Sequence, residues 1–551
     1  MQEMAEGKQK GLDLFASILK QEDVSVVFHT NKKSFEPIAS FSQVSLIHEQ
    51  AAVHAADGYS RSTGKAGVAM IMSEYGLTNA VTSMGTAQLD SVPLVIFVQH
   101  PSNDIEYQLG VEEITKGVTK HNLSAHSMEE LMTAAGKAFH IAVSDRPGVV
   151  VVDYPECILQ DMVEPFDTHA RHHKIRPTKE VSMHKIDAIV EAMNEAEQPI
   201  LLVGGGTVIS GAGKELHTFL EETGMPYAST LMGLGALEVD HPLHLGMVGM
   251  HGTFAANRAV HQADLLICLG VRFSDRITGR IKGFSPHSKK IQIDIDPAEV
   301  NKRVIVDYPV IGDVKHVLKK INERVLSAAD PEWRESVKSW SKKSAQFHEP
   351  KHNLIGPDFI IRTLNQHANQ DALIATDVGQ HQMWTAHHYC FKRPRRFLTS
   401  GGFGTMGYGL PAAIGGAVSS PHQQVVCVSG DGSIQMNIQE LMTAVRYQLD
   451  IKIAIMKNGY LGMVRQWQQL FYKRNYSHVK ISSPDYAILA ESYGAVGLRA
   501  ETQEQAEAII AQAFRTQGPV VMEFTIEEEE NVYPIVPPGG NNTDALDDGR
   551  R

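Results

Sequence analysis

Short apolar runs alternate with amphipathic helical stretches along the whole chain. The clearest unit covers residues 425–467. The apolar run Val425-Val426-Cys427-Val428 ends in Ser429-Gly430-Asp431-Gly432-Ser433. A helical spacing of Ile438, Leu441, Met442 and Val445 follows, and a second apolar run, 451–456, ends in Asn458-Gly459-Tyr460. This pattern predicts strand, Gly-rich turn, helix and strand. Similar runs occupy 24–28, 44–47 and 149–152 in the first third, 199–203, 265–269 and 290–294 in the middle, and 372–376 and 519–525 in the last. The prediction is an α/β chain of three domains, each a mostly parallel sheet flanked by helices. They are expected at residues 1–165, 180–340 and 355–536, with a polar linker near 164–178. The first and last thirds can be distant copies of one layout. The polar tail, 537–551, is expected to be mobile unless a ligand orders it.

In a parallel sheet the ends of neighbouring strands lie side by side, at the edge where such sheets bind ligands. Asp431 and Asn458 would meet there, about one βαβ unit apart. A carboxylate and an amide oxygen suit Mg²⁺, which completes its octahedron with phosphate oxygens and water. Gly432 and Ser433 would open a helix whose free N–H groups favour a phosphate. The combined reading is a diphosphate held through a divalent metal. The alternative is a tight turn with an Asp N-cap, which Gly-Asp-Gly alone would favour.

Composition narrows the class. Of 551 residues 43% are hydrophobic and 21% charged, as in ordinary globular proteins. A net charge of −12 argues against nucleic acid as a partner. No apolar run is long enough to span a bilayer, and the first residues lack the apolar core of a signal peptide. Four scattered cysteines without a CxxC fit a reducing cytoplasm.

The spacing from Gly430-Asp431-Gly432 to Asn458 resembles the thiamine-diphosphate motif. Residues 430–440 and 458–467 together resemble the acetohydroxyacid synthase (acetolactate synthase) large-subunit family. That resemblance implies two cofactor domains around a central flavin-type domain. It implies Mg²⁺ on Asp431, Asn458 and the Tyr460 backbone. Thiamine diphosphate would meet Gly379, Gln380, His381, Met406, Gly432, Ser433 and Met463. Met406 is the residue expected to bend the cofactor into a V. Val464 and Trp467 are expected on the substrate side, one helical face with Met463. In the middle third, Gly204-Gly205-Gly206, Met250-His251, Arg272, Asp296 and Asp313 resemble the family's FAD site. Glycines 204–206 would admit the ribityl diphosphate, and Arg272 and Asp296 would bind polar parts.

In the first third, Glu49 reads on its own as a first-turn carboxylate favoured by the helix dipole. The segment 48–65 resembles the one that carries the family's cofactor-activating glutamate, which implies the catalytic role for Glu49. Departures from the family pattern cluster nearby. Lys32 and Lys33 stand where glycines are usual, Glu74-Tyr75 where Gly-Pro is usual, Glu106-Tyr107 where Phe-Gln is usual, and Glu156 where Lys is usual. Lys32 or Lys33 could supply a cation for a 2-ketoacid, or face solvent on a repositioned loop. Gln99 and Tyr107 are further substrate-side candidates.

The resemblance implies a carboligase that decarboxylates pyruvate and joins the two-carbon unit to a second 2-ketoacid, giving 2-acetolactate or a homologue. The alternatives are a diverged carboligase with another acceptor, a flavin-linked 2-ketoacid oxidase or decarboxylase, or a silent scaffold subunit. It also implies a homodimer or homotetramer with shared active sites, and allows a small regulatory subunit.

Overall fold

The computed structural model describes residues 9–30, 41–72, 74–100, 110–163, 181–324, 326–344 and 354–547. Lys32, Lys33, Glu106, Tyr107 and the linker near 164–178 lie outside them.

Three six-stranded parallel sheets organise the chain. The first runs in space Ser42–Leu46, Val26–Thr30, Gly67–Ile71, Leu94–His100, Val149–Pro155, His121–Ser124. The last runs Phe397–Leu398, Leu373–Thr376, Val425–Gly430, Ile451–Lys457, Val520–Thr525, Val496–Ala500. Numbered along the chain, both have the order 2-1-3-4-6-5, so the outer two domains share one layout. The middle sheet has the order 3-2-1-4-5-6, that of dinucleotide-binding folds. Helices cover both faces of each sheet. The central strands are therefore apolar throughout, as Val149 to Val152 are, all fully buried.

The outer domains join through two helices whose facing positions are small residues. Glu49–Thr63 starts at His48, whose ring Nδ1 accepts the Gln50 N–H at 3.2 Å, and ends at Gly64 with φ +79°. It crosses Gly409–Ser419 at the closest approach two backbones allow. A Cβ on Gly58 would lie 2.2 Å from the Ala412 carbonyl oxygen, and one on Gly415 1.9 Å from that of Ala55. A buried ion network closes the same joint. Arg61 pairs with Asp57 at 2.6 Å and Asp90 at 2.9 Å, and the Tyr408 hydroxyl donates to Asp57 at 2.6 Å. Asp90 accepts the N–H groups of Gly401 and Gly402 at 3.1 and 2.7 Å, so the network holds the loop that leads to Met406.

Two expectations need correction. The helix after Gly432 is not continuous. Asp431–Ile434 is one short turn, and a 3-10 turn, Ile438–Glu440, precedes Leu441–Arg446. The break frees Asn437, whose Nδ2 donates to the Gly407 carbonyl at 2.7 Å and anchors the Met406 loop a second time. The tail to residue 547 is docked. Val536 N–H donates to the Met250 carbonyl at 2.8 Å, Arg280 N–H to that of Gly540 at 3.0 Å, and Asn542 Nδ2 to that of Ile277 at 2.9 Å. A polar segment can be ordered when backbone groups of a neighbouring domain replace water as its partners. No helix among the described residues is long and apolar enough to cross a membrane.

Candidate active site

One cavity of about 1700 Å³ opens where the three domains meet. Single-ligand sites are usually about 300–1,000 Å³, so this one has room for more than one large molecule.

At its floor, Gly430 pairs with Met456 in register, which brings Asp431 and Asn458 to one sheet edge. Asp431 is buried, and Oδ2 accepts the Gly459 N–H and the Ser483 hydroxyl, each at 2.8 Å. Gly459 can turn back toward Asp431 because it has φ +71°, a conformation costly for other residues. Burial raises the Asp431 pKa, and the two donors oppose that shift. Asn458 Oδ1 accepts the Tyr460 N–H at 3.0 Å. Gly432, Ser433 and Tyr460 line the same floor. This set of oxygens fits a hard divalent cation that takes its remaining ligands from a diphosphate.

Gly379, Gln380 and His381 stand beside this edge. The His381 Nε2 is buried with no hydrogen-bond partner among the described residues. Burial pushes its pKa down to about 3, so the ring is neutral. This nitrogen stands next to an oxygen-rich metal edge, where it can donate to a bound diphosphate once it carries a proton. The Gln380 side-chain amide is engaged within the protein. Nε2 donates to Gln466 Oε1 at 2.9 Å and to the Glu530 carbonyl at 2.8 Å. Asp377, not singled out from sequence, is fully buried beneath them. It accepts the Gly407 N–H at 2.8 Å, and burial raises its pKa to about 6. Met406 lies in the cavity wall on the loop so anchored.

The opposite wall is the helix Gly462–Phe471, which is amphipathic in reverse. Met463, Val464 and Trp467 face the cavity. Arg465 and Gln466 point inward and are fully buried. Arg465 donates to the Glu530 carbonyl at 2.8 Å and Asn531 Oδ1 at 2.7 Å.

The other arm of the cavity runs along the central sheet. Gly205, Gly206, Met250, His251, Arg272 and Asp313 line it. Gly206 packs closely on Gly270, where a Cβ would lie 2.7 Å from the Gly270 Cα, and it lines the cavity beside Gly205. This cradle, with its flanking arginine and carboxylates, fits a flavin dinucleotide. Gly204 and Asp296 are not among the described residues lining the cavity. Gly204 packs away from the cavity, where a Cβ would lie 2.2 Å from the Gly270 carbonyl oxygen. Asp296 caps the turn that follows it, accepting the Ala298 N–H at 2.9 Å, and pairs with Arg146 at 3.2 Å. Asp294 and Glu299 line this arm together with Asp313. Burial raises the Asp294 pKa to about 6. Its place as the last residue of the strand Lys289–Asp294 is the signal that could have found it.

Among the described residues lining the cavity, Glu49 is absent. It is buried at the start of its helix, where Oε1 accepts from the Thr30 hydroxyl at 3.3 Å and Oε2 from Asn79 Nδ2 at 3.0 Å. Gly76 packs over it, since a Cβ there would lie 2.9 Å from Glu49 Oε1. Gln99 is likewise buried off the cavity, with Oε1 lacking a partner among the described residues. Of the departures that can be described, Tyr75 is exposed and Glu156 opens the 3-10 turn Glu156–Leu159.

Comparison with known proteins bears on this geometry. Residues 9–128 match "Thiamine pyrophosphate enzyme, N-terminal TPP binding domain". Residues 186–321 match the central domain of the same enzymes, and 377–524 their C-terminal TPP binding domain. The chain is 41% identical over 508 residues to the acetolactate synthase isozyme 2 large subunit of Escherichia coli (strain K12), covering 91% of each chain. It is 39% identical over 560 residues to the acetolactate synthase large subunit of Haemophilus influenzae, covering 97% of each. A similar relative, 39% identical over 525 residues and 92% of each chain, is the acetolactate synthase large subunit of Buchnera aphidicola subsp. Schizaphis graminum. The cofactors this family implies are thiamine diphosphate, Mg²⁺ and FAD, which the two arms of the cavity fit. The chain belongs to the acetolactate synthase large-subunit family, and is a thiamine-diphosphate-dependent enzyme that forms carbon–carbon bonds.

Proposed function

We propose that this chain makes 2-acetolactate or a homologue, taking a two-carbon unit from pyruvate and joining it to a second 2-ketoacid. Thiamine diphosphate supplies the electron sink for decarboxylation when bound, with Mg²⁺ tying its diphosphate to the protein and FAD in the other arm without a redox part. Asp431, the Asn458 oxygen and the Tyr460 carbonyl would hold the metal. His381 would meet the diphosphate with its unpartnered nitrogen, and Met406 would pack against the bound molecule from the cavity wall. Met463, Val464 and Trp467 would keep water from the reacting carbon and shape the space for the second ketoacid.

The observation that carries the reading is one cavity open to both the Asp431–Asn458 edge and the Gly205–Gly206 cradle, with Glu49 off it. An activating carboxyl off the cavity of its own chain supports a role in the site of another copy. The reading is therefore at least a homodimer in which Glu49 of one copy holds the proton at the far end of a molecule bound by the next. The relatives are named large subunits, so a smaller partner subunit belongs to it. A cytoplasmic setting suits the four free cysteines.

The test is pyruvate turnover with product analysis, with and without thiamine diphosphate, Mg²⁺ and FAD. Acetolactate that disappears in Glu49→Gln is the expected result. CO₂ release without acetolactate, restored to coupling by added aldehydes or other ketoacids, would overturn the choice of acceptor.

A further inference from the structure

A chain of three buried side-chain amides runs from the C-terminal segment to the metal edge. It starts at a group whose polarity cannot be reversed, the backbone of Val532. The Val532 N–H donates to Gln466 Oε1 at 2.9 Å, and its carbonyl accepts from Gln466 Nε2 at 2.8 Å. With both ends set, Gln466 presents Oε1 to Gln380. Gln380 Nε2 donates to that oxygen at 2.9 Å and to the Glu530 carbonyl at 2.8 Å. A flipped Gln380 would set oxygen against oxygen at both contacts. Its Oε1 is thus turned to Asn458, where it accepts from Nδ2 at 3.4 Å. Asn458 keeps Oδ1 on its other side, where it accepts the Tyr460 N–H at 3.0 Å.

The two ends of an amide are nearly the same size, so an asparagine at a strand end can present either. For a magnesium site the choice decides everything, because the oxygen is a ligand and the NH₂ group is not. We propose that Gln466 and Gln380 are positioning residues for the metal site, an amide relay through which the Val532 backbone makes Asn458 present its oxygen. This rests on reading Asp431 and Asn458 as the metal edge. Neither glutamine needs to touch the metal. Gln466 lies on the helix that also carries Trp467, so the same relay ties the substrate-side wall to the cofactor floor.

The test is a Mn²⁺ titration of the full chain with thiamine diphosphate, read by electron paramagnetic resonance, with thermal unfolding recorded for every variant. Gln466→Met removes both ends of the first amide and should weaken Mn²⁺ about 10–100-fold, the usual effect of losing a partner behind a metal ligand. Gln466→Glu still offers an oxygen to Gln380 and, protonated, a donor to the Val532 carbonyl. It should restore most of the affinity. Gln469→Met, on the same helix, removes an acceptor of Arg465 and Asn531 rather than an amide of the relay, and should lower stability without changing Mn²⁺ affinity. Folded Gln466→Met within about threefold of wild type would overturn the relay. If Gln466→Met does not fold, Gln380→Leu breaks the relay at its middle and the same two outcomes decide. Asp431→Asn separates the two levels. If it binds Mn²⁺ normally, the metal-edge reading itself fails; if it does not and Gln466→Met does, only the relay fails.

Discussion

Replacing Gly58 by alanine tests how closely the outer domains are joined. A Cβ there would sit 2.2 Å from the Ala412 carbonyl oxygen. Carbon and oxygen in contact need about 3.3 Å, so the helices must part by about 1 Å. Both sides of the clash are backbone, so no rotamer can relieve it. Overpacking costs about 1–3 kcal/mol, here toward the upper end. Alanine returns about 1 kcal/mol of helix propensity, leaving a net loss of about 2 kcal/mol. Gly136→Ala is the matched control. It lies in the helix Met128–Val143, and the nearest atom to a Cβ is Glu22 Oε1 at 3.8 Å. There the same change should stabilise by about 0.4–1 kcal/mol. Urea midpoints followed by circular dichroism compare the two variants. Gly58→Ala should also weaken activation of the cofactor, because Glu49 begins the displaced helix. Equal midpoints for the two variants would refute the close crossing.

Other perturbations probe buried polarity. His54 is fully buried, with neither ring nitrogen partnered among the described residues, and burial lowers its pKa to about 3. A folded pKa below the unfolded 6.5 means stability is present above pH 6.5 and lost as pH falls toward 3. His54→Leu should therefore stabilise by about 1–3 kcal/mol at pH 7 and by more at pH 5, read from urea midpoints at both. Asp90→Asn sets an NH₂ group against Arg61 in a buried network and should cost about 3 kcal/mol while loosening the Met406 loop. A fall in thiamine diphosphate affinity, measured by calorimetry, checks the second effect. His381 is neutral, and a diphosphate beside it favours the protonated ring. Binding should take up protons increasingly as the pH is lowered, and His381→Phe should lower that uptake, seen by calorimetry in buffers of different ionisation enthalpy.

The sheet edges were legible because they are local. The run into Asp431, the run into Asn458 and the glycines between them carry their own periodicity and turn chemistry. Asp294 was missed in favour of Asp296, two residues on, because sequence alone does not show which carboxylate ends the strand and which caps the turn. Residues acting across the fold left less trace. Arg61, Asp90 and Tyr408 form one network from widely separated segments, and no spacing rule links them. In Gly462–Phe471 the apolar stripe was visible and expected on the substrate side, and it lines the cavity. Only the partners of Arg465 and Gln466 in 530–532 reveal that the polar side is the buried one.

The central claim is that a diphosphate held at Asp431 is activated by Glu49 of another copy. Mixed assemblies of Glu49→Gln and Asp431→Asn chains test it most directly, since each variant alone should be inactive. If sites are shared between copies, a mixed dimer contains one site with both residues intact, and random mixing should restore about a quarter of wild-type turnover. If each chain builds its own site, every site in the mixture lacks one residue. No recovery of activity in mixtures shown to contain mixed dimers would contradict the claim.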